Sequence, residues 1–197
     1  MLIDRYLPSA DAAQLRHTIV EASVHETFEA VRRWDPTAMS SRGVRLLVWL
    51  RGAPEQAWRT LTRRPEPASP GTQSLLDWGW IELGVQPDAE LALGLVGRFW
   101  NPVIRPRRLP TADAFRAFDE PGYAKLVISF SVRPYGEQRS LLSYEARTAC
   151  TSAAARRRFR WYWLGVGPFA GYLMSRALVD IRADAEAARR APAAATT

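Results

Sequence analysis

The sequence lacks several features that would point to a secreted or membrane-spanning protein. Its 197 residues include one cysteine, Cys150, so no internal disulfide framework is possible. No run of about 18 apolar residues occurs, and the sequence therefore predicts no transmembrane helix. The stretch Met1 to Ala10 does not show the basic and then apolar pattern of a signal peptide. We therefore expect a cytoplasmic protein.

Motifs of metal-dependent and nucleophilic catalysis are also missing. The spacings His-x-x-x-His and Cys-x-x-Cys do not occur, so we expect no metal site. There is no Gly-x-Ser-x-Gly elbow or phosphate-binding loop, because Gly94-Leu95-Val96-Gly97 lies inside a predicted strand. Of the two histidines, His17 borders the first predicted strand and His25 the first predicted helix, positions that favour a structural role. The sequence indicates no catalytic residue and no cofactor.

The composition favours one domain with a large core. Hydrophobic residues make up 47% of the chain, and eight Trp, seven Phe and six Tyr are many for this length. Such rings bury large areas or line apolar pockets. We expect a single domain over residues 1–190 that starts with an arm over residues 1–14, followed by a flexible tail over residues 191–197.

The chain is strongly basic, with a net charge of +7 and an isoelectric point near 10.3. Arginine suits phosphates and carboxylates, although a GC-rich genome would also encode much Arg and Ala. No zinc-finger spacing or aromatic RNA-binding signature accompanies the charge, so we expect no specific nucleic-acid partner. Weak contact with an anionic membrane surface stays open. The excess arginines are Arg105, Arg107, Arg108, Arg156, Arg157, Arg158 and Arg160.

The segment from Thr151 to about Arg190 predicts one long helix. Thr151 and Ser152 can cap its start. Gly165 to Pro168 predicts a kink or a short break in its middle. A helix with this much aromatic surface needs a broad apolar partner. Its apolar residues recur in steps of three and four, at Phe159, Trp163, Val166, Ala170, Leu173, Ala177 and Ile181.

Alternating patterns before this helix predict an antiparallel sheet with one wet face. Segments Trp78–Val85 and Glu90–Trp100 are joined by a turn signal and should form a hairpin. Segments Tyr123–Pro134 and Arg139–Cys150 alternate most clearly. Their predicted inner residues are Leu126, Ile128, Phe130, Val132, Leu142, Tyr144, Ala146 and Thr148. Their predicted solvent-facing residues are Lys125, Ser129, Ser131, Arg133, Arg139, Ser143, Glu145 and Arg147.

Smaller elements complete an α+β layout. Ser23 and Glu26 match a capping box, which predicts a helix that ends near Trp34. The other predicted elements are a strand over His17–Ala22, helices over Gly43–Arg51 and Pro54–Arg63, and a strand over Ala114–Phe118.

The chain resembles the START-like, or SRPBCC, superfamily, and most closely uncharacterised bacterial members of it. The resemblance spans about residues 5 to 188 and implies a helix-grip fold, in which a curved antiparallel sheet wraps a long C-terminal helix with small helices after the first strand. It also implies a hydrophobic ligand, and it brings no catalytic residues. The stretches that carry it are Tyr6-Leu7-Pro8, Leu95 to Trp100, Phe118 to Lys125, Glu145-Ala146-Arg147 and Arg158 to Trp163.

A cavity between the sheet and the long helix is the expected ligand site, with a filled core as the alternative. Glu82 would be its acid or base if it pointed inward among Trp rings, and an ordinary edge charge otherwise. Tyr144 could offer a phenolic hydrogen bond or simply pack. The expected lining residues are Trp80, Glu82, Leu93, Leu95, Phe99, Phe115, Ile128, Phe130, Tyr144, Phe159, Trp163, Val166 and Leu173.

Three functions follow from this layout. The favoured one is binding or carrying a hydrophobic small molecule, such as a lipid, a polyketide or an aromatic compound. The second is an enzyme of the polyketide cyclase or aromatase type, which needs a titratable group inside the cavity. The third is an interaction module that uses the Arg-rich surface for anionic lipid or nucleic acid.

Overall fold

Five strands form one antiparallel sheet in the order β1-β5-β4-β3-β2. The structure is a computed structural model and describes residues 1–34, 79–101 and 104–190. The strands are β1 (Ala12–Val20), β2 (Ile81–Gln86), β3 (Glu90–Gly97), β4 (Ala124–Pro134) and β5 (Ser140–Cys150). The helices are α1 (Leu2–Tyr6), α2 (Val24–Arg33), α3 (Ala112–Ala117) and α4 (Ala153–Arg190).

Both predicted hairpins are present. β2 and β3 are joined by a tight turn in which Asp88 adopts a positive φ of 55° and Ala89 N–H donates to the Gln86 carbonyl. β4 and β5 are joined across Gly136, whose φ is 76°. β1 lies antiparallel to β5 and begins at Ala12, five residues earlier than predicted. The pairing of β2 with β3 shifts between Glu82 and Gly84, which is a β-bulge.

The capping box of α2 is confirmed. The Ser23 hydroxyl accepts from Glu26 N–H at 3.2 Å, and the Glu26 carboxylate accepts from Ser23 N–H at 2.8 Å. These bonds satisfy backbone donors that the first helical turn leaves open. The helix ends at Arg33, as predicted, and the predicted helices over residues 43–51 and 54–63 and the tail over residues 191–197 lie outside the described residues.

The long C-terminal helix is continuous over 38 residues, so of the two alternatives predicted for Gly165 to Pro168 the short break is wrong, and the kink stays a prediction. Ser152 caps its start by accepting from Ala155 N–H at 3.2 Å. Proline removes one backbone N–H, and packing of the helix on either side of Pro168 holds the remaining turns together. None of the helices in the described ranges is both long and apolar enough to cross a membrane.

The two faces of the sheet are covered by different helices. We call the face toward α2 and α4 the inner face; it carries the predicted inner residues of β4 and β5. The opposite, outer face is covered by α1 and α3, with Ile3 and Phe115 packed against Val96 and Val127. The sheet therefore lies between two layers of helix.

A wet outer face is therefore a wrong prediction. Of the eight predicted residues, Lys125, Ser129 and Ser131 are buried and only Arg133 and Arg139 are exposed. The remaining three, Ser143, Glu145 and Arg147, are half-buried. The predicted strand over Ala114–Phe118 is also wrong, because this segment belongs to α3. The Thr111 hydroxyl caps that helix by accepting from Ala114 N–H at 3.1 Å.

Candidate functional site

The inner face holds α4 through two separate buried clusters. The C-terminal cluster joins the last turns of α4 to α2 and to one end of the sheet. Its members include Val20, Phe28, Val31, Ile128, Phe130, Val132, Leu142, Leu178 and Ile181. The N-terminal cluster joins the first turns of α4 to the other end of the sheet. Its members are Leu95, Phe99, Ala124, Cys150, Ala155 and Phe159. α4 is thus fixed at both ends.

The region between these clusters is apolar but incompletely buried. Trp80 and Leu126 are half-buried and pack against both clusters, so they link them. We call the half-buried set between the clusters the intervening surface. It consists of Trp80, Leu93, Leu126, Tyr144 and Ala146 from the sheet side, and Trp163, Val166 and Leu173 from α4. Aliphatic and aromatic side chains of this kind form the walls of hydrophobic ligand sites.

The middle of α4 lies close to the edge strand β1. The Gln14 side-chain amide donates to the Gly167 carbonyl at 2.8 Å. A Cβ placed on Gly171 would lie 2.7 Å from a guanidinium nitrogen of Arg16 and 3.1 Å from the side-chain oxygen of Gln14, so the helix backbone and the side chains of β1 are close here. At Gly167 and Gly171, the middle of α4 therefore lies next to β1, at one edge of the inner face.

Tyr144 is the main titratable group of the intervening surface. Its ring lies 4.2 Å from the Phe130 ring, centroid to centroid. Burial raises the pKa of the Tyr144 phenol above its ordinary value, so the hydroxyl stays protonated at neutral pH. No hydrogen bond among the described residues involves this hydroxyl. It is therefore available as a donor.

Two further buried polar atoms near this surface have no hydrogen-bond partner among the residues that the structure describes. One is the indole nitrogen of Trp34, whose ring lies 5.5 Å from that of Phe130. The other is the side-chain oxygen of Gln14, on β1. Buried polar atoms are nearly always paired, so each of these is a candidate contact for a polar group on a ligand. Neither residue was among the predicted site residues, because a single Trp or Gln in a sequence does not indicate that its polar atom will be buried without a partner.

The predicted lining residues divide into three groups. Leu95, Phe99 and Phe159 are fully buried in the N-terminal cluster, and Ile128 and Phe130 in the C-terminal cluster, where they act as core. Trp80, Leu93, Tyr144, Trp163, Val166 and Leu173 belong to the intervening surface.

Phe115 and Glu82 do not lie where the cavity prediction placed them. Phe115 is fully buried on the outer face, because its segment forms α3 rather than a strand. Glu82 pairs in register with Leu93 but lies on the edge strand and is exposed. It is an edge charge, the second of the two interpretations given above.

The described residues offer few side chains that could act in catalysis. His17 and His25 are exposed, and His25 Nδ1 lies 3.0 Å from an Asp88 carboxylate oxygen. Across residues 1–34, 79–101 and 104–190, no group of three or more His, Cys, Asp or Glu side chains is placed to hold a metal ion. Cys150 is buried, and burial raises the pKa of its thiol to about 12, with the Asp11 carboxylate adding to the rise. A thiol in this state is a poor nucleophile.

Comparisons with known proteins give little guidance. No protein-family model matches the chain, and no curated protein matches it. One solved structure that resembles it is described as a conserved protein from Geobacillus kaustophilus, at 11% identity and a TM-score of 0.42. The match covers 90% of this chain and 97% of that one. At this score the likeness carries no weight for fold or function.

Proposed function

We propose that the chain binds an apolar small molecule between the inner face of its sheet and α4. In this proposal the protein is a binder or carrier rather than an enzyme, and its fold is the helix-grip fold of the START-like proteins that its sequence resembles. The α+β architecture, with a five-stranded antiparallel sheet and a long C-terminal helix packed on it, is compatible with that fold.

The interruption of the inner core is the observation that carries the proposal. A helix that only closed a core would bury one continuous stripe of side chains. Here Phe159 and Ile181 are fully buried, and between them α4 also buries Gly167, Gly171, Met174 and Ala177, while Trp163, Val166 and Leu173 on the same length of helix are only half-buried. The facing strand residues Leu93 and Ala146 are half-buried in the same way. A ligand placed there would complete the burial of both sides.

The polar atoms indicate what kind of ligand would fit. The Trp34 indole N–H and the Tyr144 hydroxyl are both donors, and both rings pack on Phe130. The favoured ligand therefore has a mostly aliphatic or aromatic body and one hydrogen-bond acceptor, such as a carbonyl or hydroxyl oxygen. A carboxylate is less favoured, because the surroundings of Phe130 would desolvate the charge.

The test is to fill the proposed space. We expect native mass spectrometry of gently purified protein to show a bound mass, and anilinonaphthalene sulfonate to bind with enhanced fluorescence. Ala146→Trp should abolish both signals because the new ring occupies the site. Ala13→Trp is the matched control, since Ala13 is exposed on β1 and its ring would reach solvent.

A packed interior would give a different pattern. No ligand mass and no probe fluorescence would then be seen in the unchanged protein. Ala146→Trp would also lower the free energy of unfolding by about 1–3 kcal/mol through overpacking, whereas a cavity would accept the ring at smaller cost. That combination of results would rule the proposal out.

Catalysis of the cyclase or aromatase type is the second candidate, and it rests on Tyr144. Glu82, His17 and His25 are exposed, which leaves Tyr144 as the remaining titratable side chain of those proposed for catalysis. A phenol with a raised pKa can donate to a developing enolate oxygen but is a poor base. Tyr144→Phe would abolish turnover of a polyketide-like substrate while leaving its binding within a few-fold, whereas a carrier would show no turnover to lose.

A further inference from the structure

The solvent-facing side of α4 is unusually apolar. Trp161 is 75% exposed and Leu164 is 72% exposed. Phe169, Tyr172 and Val179 continue the exposed apolar residues along the same helix. At 100° per residue, positions 161, 164, 172 and 179 fall on one side, opposite the buried Phe159 and Ile181. From Trp161 to Val179 this stripe extends about 27 Å along the helix axis. Large exposed apolar patches usually mark an interaction site.

Positive charge accompanies the stripe without acidic residues to balance it. The helix contains no Asp or Glu from Ala153 to Val179. Arg157, Arg158 and Arg160 are exposed, and none of them forms an ion pair with any residue in the described ranges. Arg156 differs, because it pairs with Asp11. A surface groove of about 400 Å³ is bordered by Arg156, Arg157, Arg160, Trp161 and Leu164.

The position of these arginines is electrostatically unfavourable within the monomer. The first turns of a helix carry a partial positive charge from their free N–H groups, so cations there destabilise it. The first turn of α4 has no acidic residue, and its first eight residues contain four arginines, of which only Arg156 has an acidic partner among the described residues. Nothing in the described part of the chain offsets Arg157, Arg158 and Arg160. An external anionic partner would offset these three positive charges.

We propose that this side of α4 docks on the surface of an anionic lipid bilayer. Trp161 and Leu164 would insert at the level of the headgroups, and Arg157, Arg158 and Arg160 would contact lipid phosphates. A Trp beside arginines on one helix suits the bilayer surface, where an apolar acyl-chain layer lies directly under a layer of charged headgroups. A second copy fits less well because it would bring the same arginines. Nucleic acid would leave the apolar stripe uncovered.

Vesicle binding tests the charge contribution. We expect the protein to co-sediment with phosphatidylcholine vesicles that contain phosphatidylglycerol, to ignore vesicles of phosphatidylcholine alone, and to be released by salt. The double variant Arg157→Ala/Arg158→Ala should bind at least about tenfold more weakly. The matched control Arg105→Ala/Arg133→Ala removes two exposed arginines elsewhere and should change binding less than about threefold.

The apolar contribution needs its own pair of variants. Trp161→Ala/Leu164→Ala should weaken binding to the same vesicles about tenfold or more, and its control is Leu15→Ala/Val85→Ala, two exposed apolar residues on edge strands. Brominated lipids should quench part of the tryptophan fluorescence, and Trp161→Phe should remove that quenching. All these positions are exposed, so thermal melting should show folded variants.

Three results would overturn the proposal. The first is vesicle binding that the Trp161→Ala/Leu164→Ala variant leaves unchanged, or no binding at all. The second is concentration-dependent dimerisation that Trp161→Ala abolishes, which would make a second copy the occupant. The third is tighter binding to duplex DNA than to anionic vesicles, sensitive to the arginines alone. Each is independent of the ligand site, which native mass spectrometry would report separately.

Discussion

The two faces of the sheet are built from alternate residues of the same strands, yet they are packed in different ways. The outer face forms one buried cluster under α1 and α3. The inner face forms two clusters with a half-buried surface between them. Since the strands are shared, the difference comes from the helices that cover each face. The short helices α1 and α3 pack on the outer face, and the long helix α4 spans the inner face.

Two buried charged residues on the outer face, Glu90 and Lys125, have partners that explain their burial. The Glu90 carboxylate accepts from Leu2 N–H at 2.8 Å and from the Ser129 hydroxyl at 2.7 Å. The Lys125 ammonium donates to the Arg116 carbonyl at 2.9 Å and lies over the Phe115 ring. On the inner side, the Trp34 and Gln14 atoms described above have no hydrogen-bond partner among residues 1–34, 79–101 and 104–190. Since buried polar atoms are nearly always paired, the two faces differ in how completely they are satisfied.

The largest expected effect compares one deletion on each face. Phe115→Ala should lower the free energy of unfolding by about 3–5 kcal/mol, because its ring is fully buried and fits against Gly94. Leu93→Ala on the intervening surface should cost about 1–2 kcal/mol, because that side chain is already half-exposed. Urea denaturation followed by circular dichroism measures both.

Equal losses for these two variants would mean that the inner face is packed as tightly as the outer one. Adding a ligand sharpens the test further. A bound apolar molecule should raise the stability of the unchanged protein, and Leu93→Ala should reduce that gain while Phe115→Ala leaves it intact.

An intermediate effect is expected at Glu90, which joins α1 to the sheet. Glu90→Ala should destabilise by about 2–3 kcal/mol, because it leaves the Leu2 and Ser129 donors without their acceptor in a buried place. Glu82→Ala is the control: that carboxylate is exposed on the neighbouring strand and should change stability by less than about 0.5 kcal/mol. Both can be measured by thermal unfolding. A loss at Glu90 no larger than at Glu82 would contradict the role given to it.

The smallest effect is a difference in alkaline pH dependence between the faces. The thiol of Cys150 has its pKa raised from 9.0 to about 12, so the unfolded chain loses this proton first and stability falls as pH rises above about 9. Burial instead lowers the pKa of the Lys125 ammonium below its model-peptide value of 10.5. The folded chain then loses that proton first, and stability rises with pH toward 10.5.

Variants separate these opposite slopes. Cys150→Ala should make the stability of the protein decline less steeply above pH 9, and Lys125→Met should make it decline more steeply. Tyr144→Phe should act in the same direction as Cys150→Ala, because the pKa of this phenol is also raised. Chemical denaturation at a series of pH values gives the slopes, and identical slopes for all variants would contradict the assignment.

Local patterns predicted the inner face well. Strict alternation over β4 and β5 placed Leu126, Phe130 and Leu142 correctly, and Ser23 with Glu26 marked the start of α2. These signals work because period-two burial and helix capping depend on residues near each other in sequence. The extent of α4 followed from its helical periodicity, and Pro168 does not break the helix as one of the two alternatives had it.

The outer face could not be predicted because short helices carry too little periodicity. α1 and α3 have five and six residues, fewer than two turns each. Without them, Lys125 and Ser129 look like solvent-facing residues, and Phe115 looks like part of a strand. Parts of the candidate site could not be predicted for the same kind of reason. The exposure of Glu82 depends on its place at the sheet edge, and the burial of the Trp34 nitrogen depends on tertiary contacts.

The bulge between Glu82 and Gly84 matters for the chain before it is fully folded. β2 is the last strand of the sheet order, so its outer row of amides and carbonyls meets no further strand in the described ranges. A regular row of this kind can template pairing with another nascent chain. The one-residue offset breaks the even spacing, and the exposed Glu82 adds charge beside it. This edge should therefore resist the intermolecular sheet growth that leads to aggregates during synthesis.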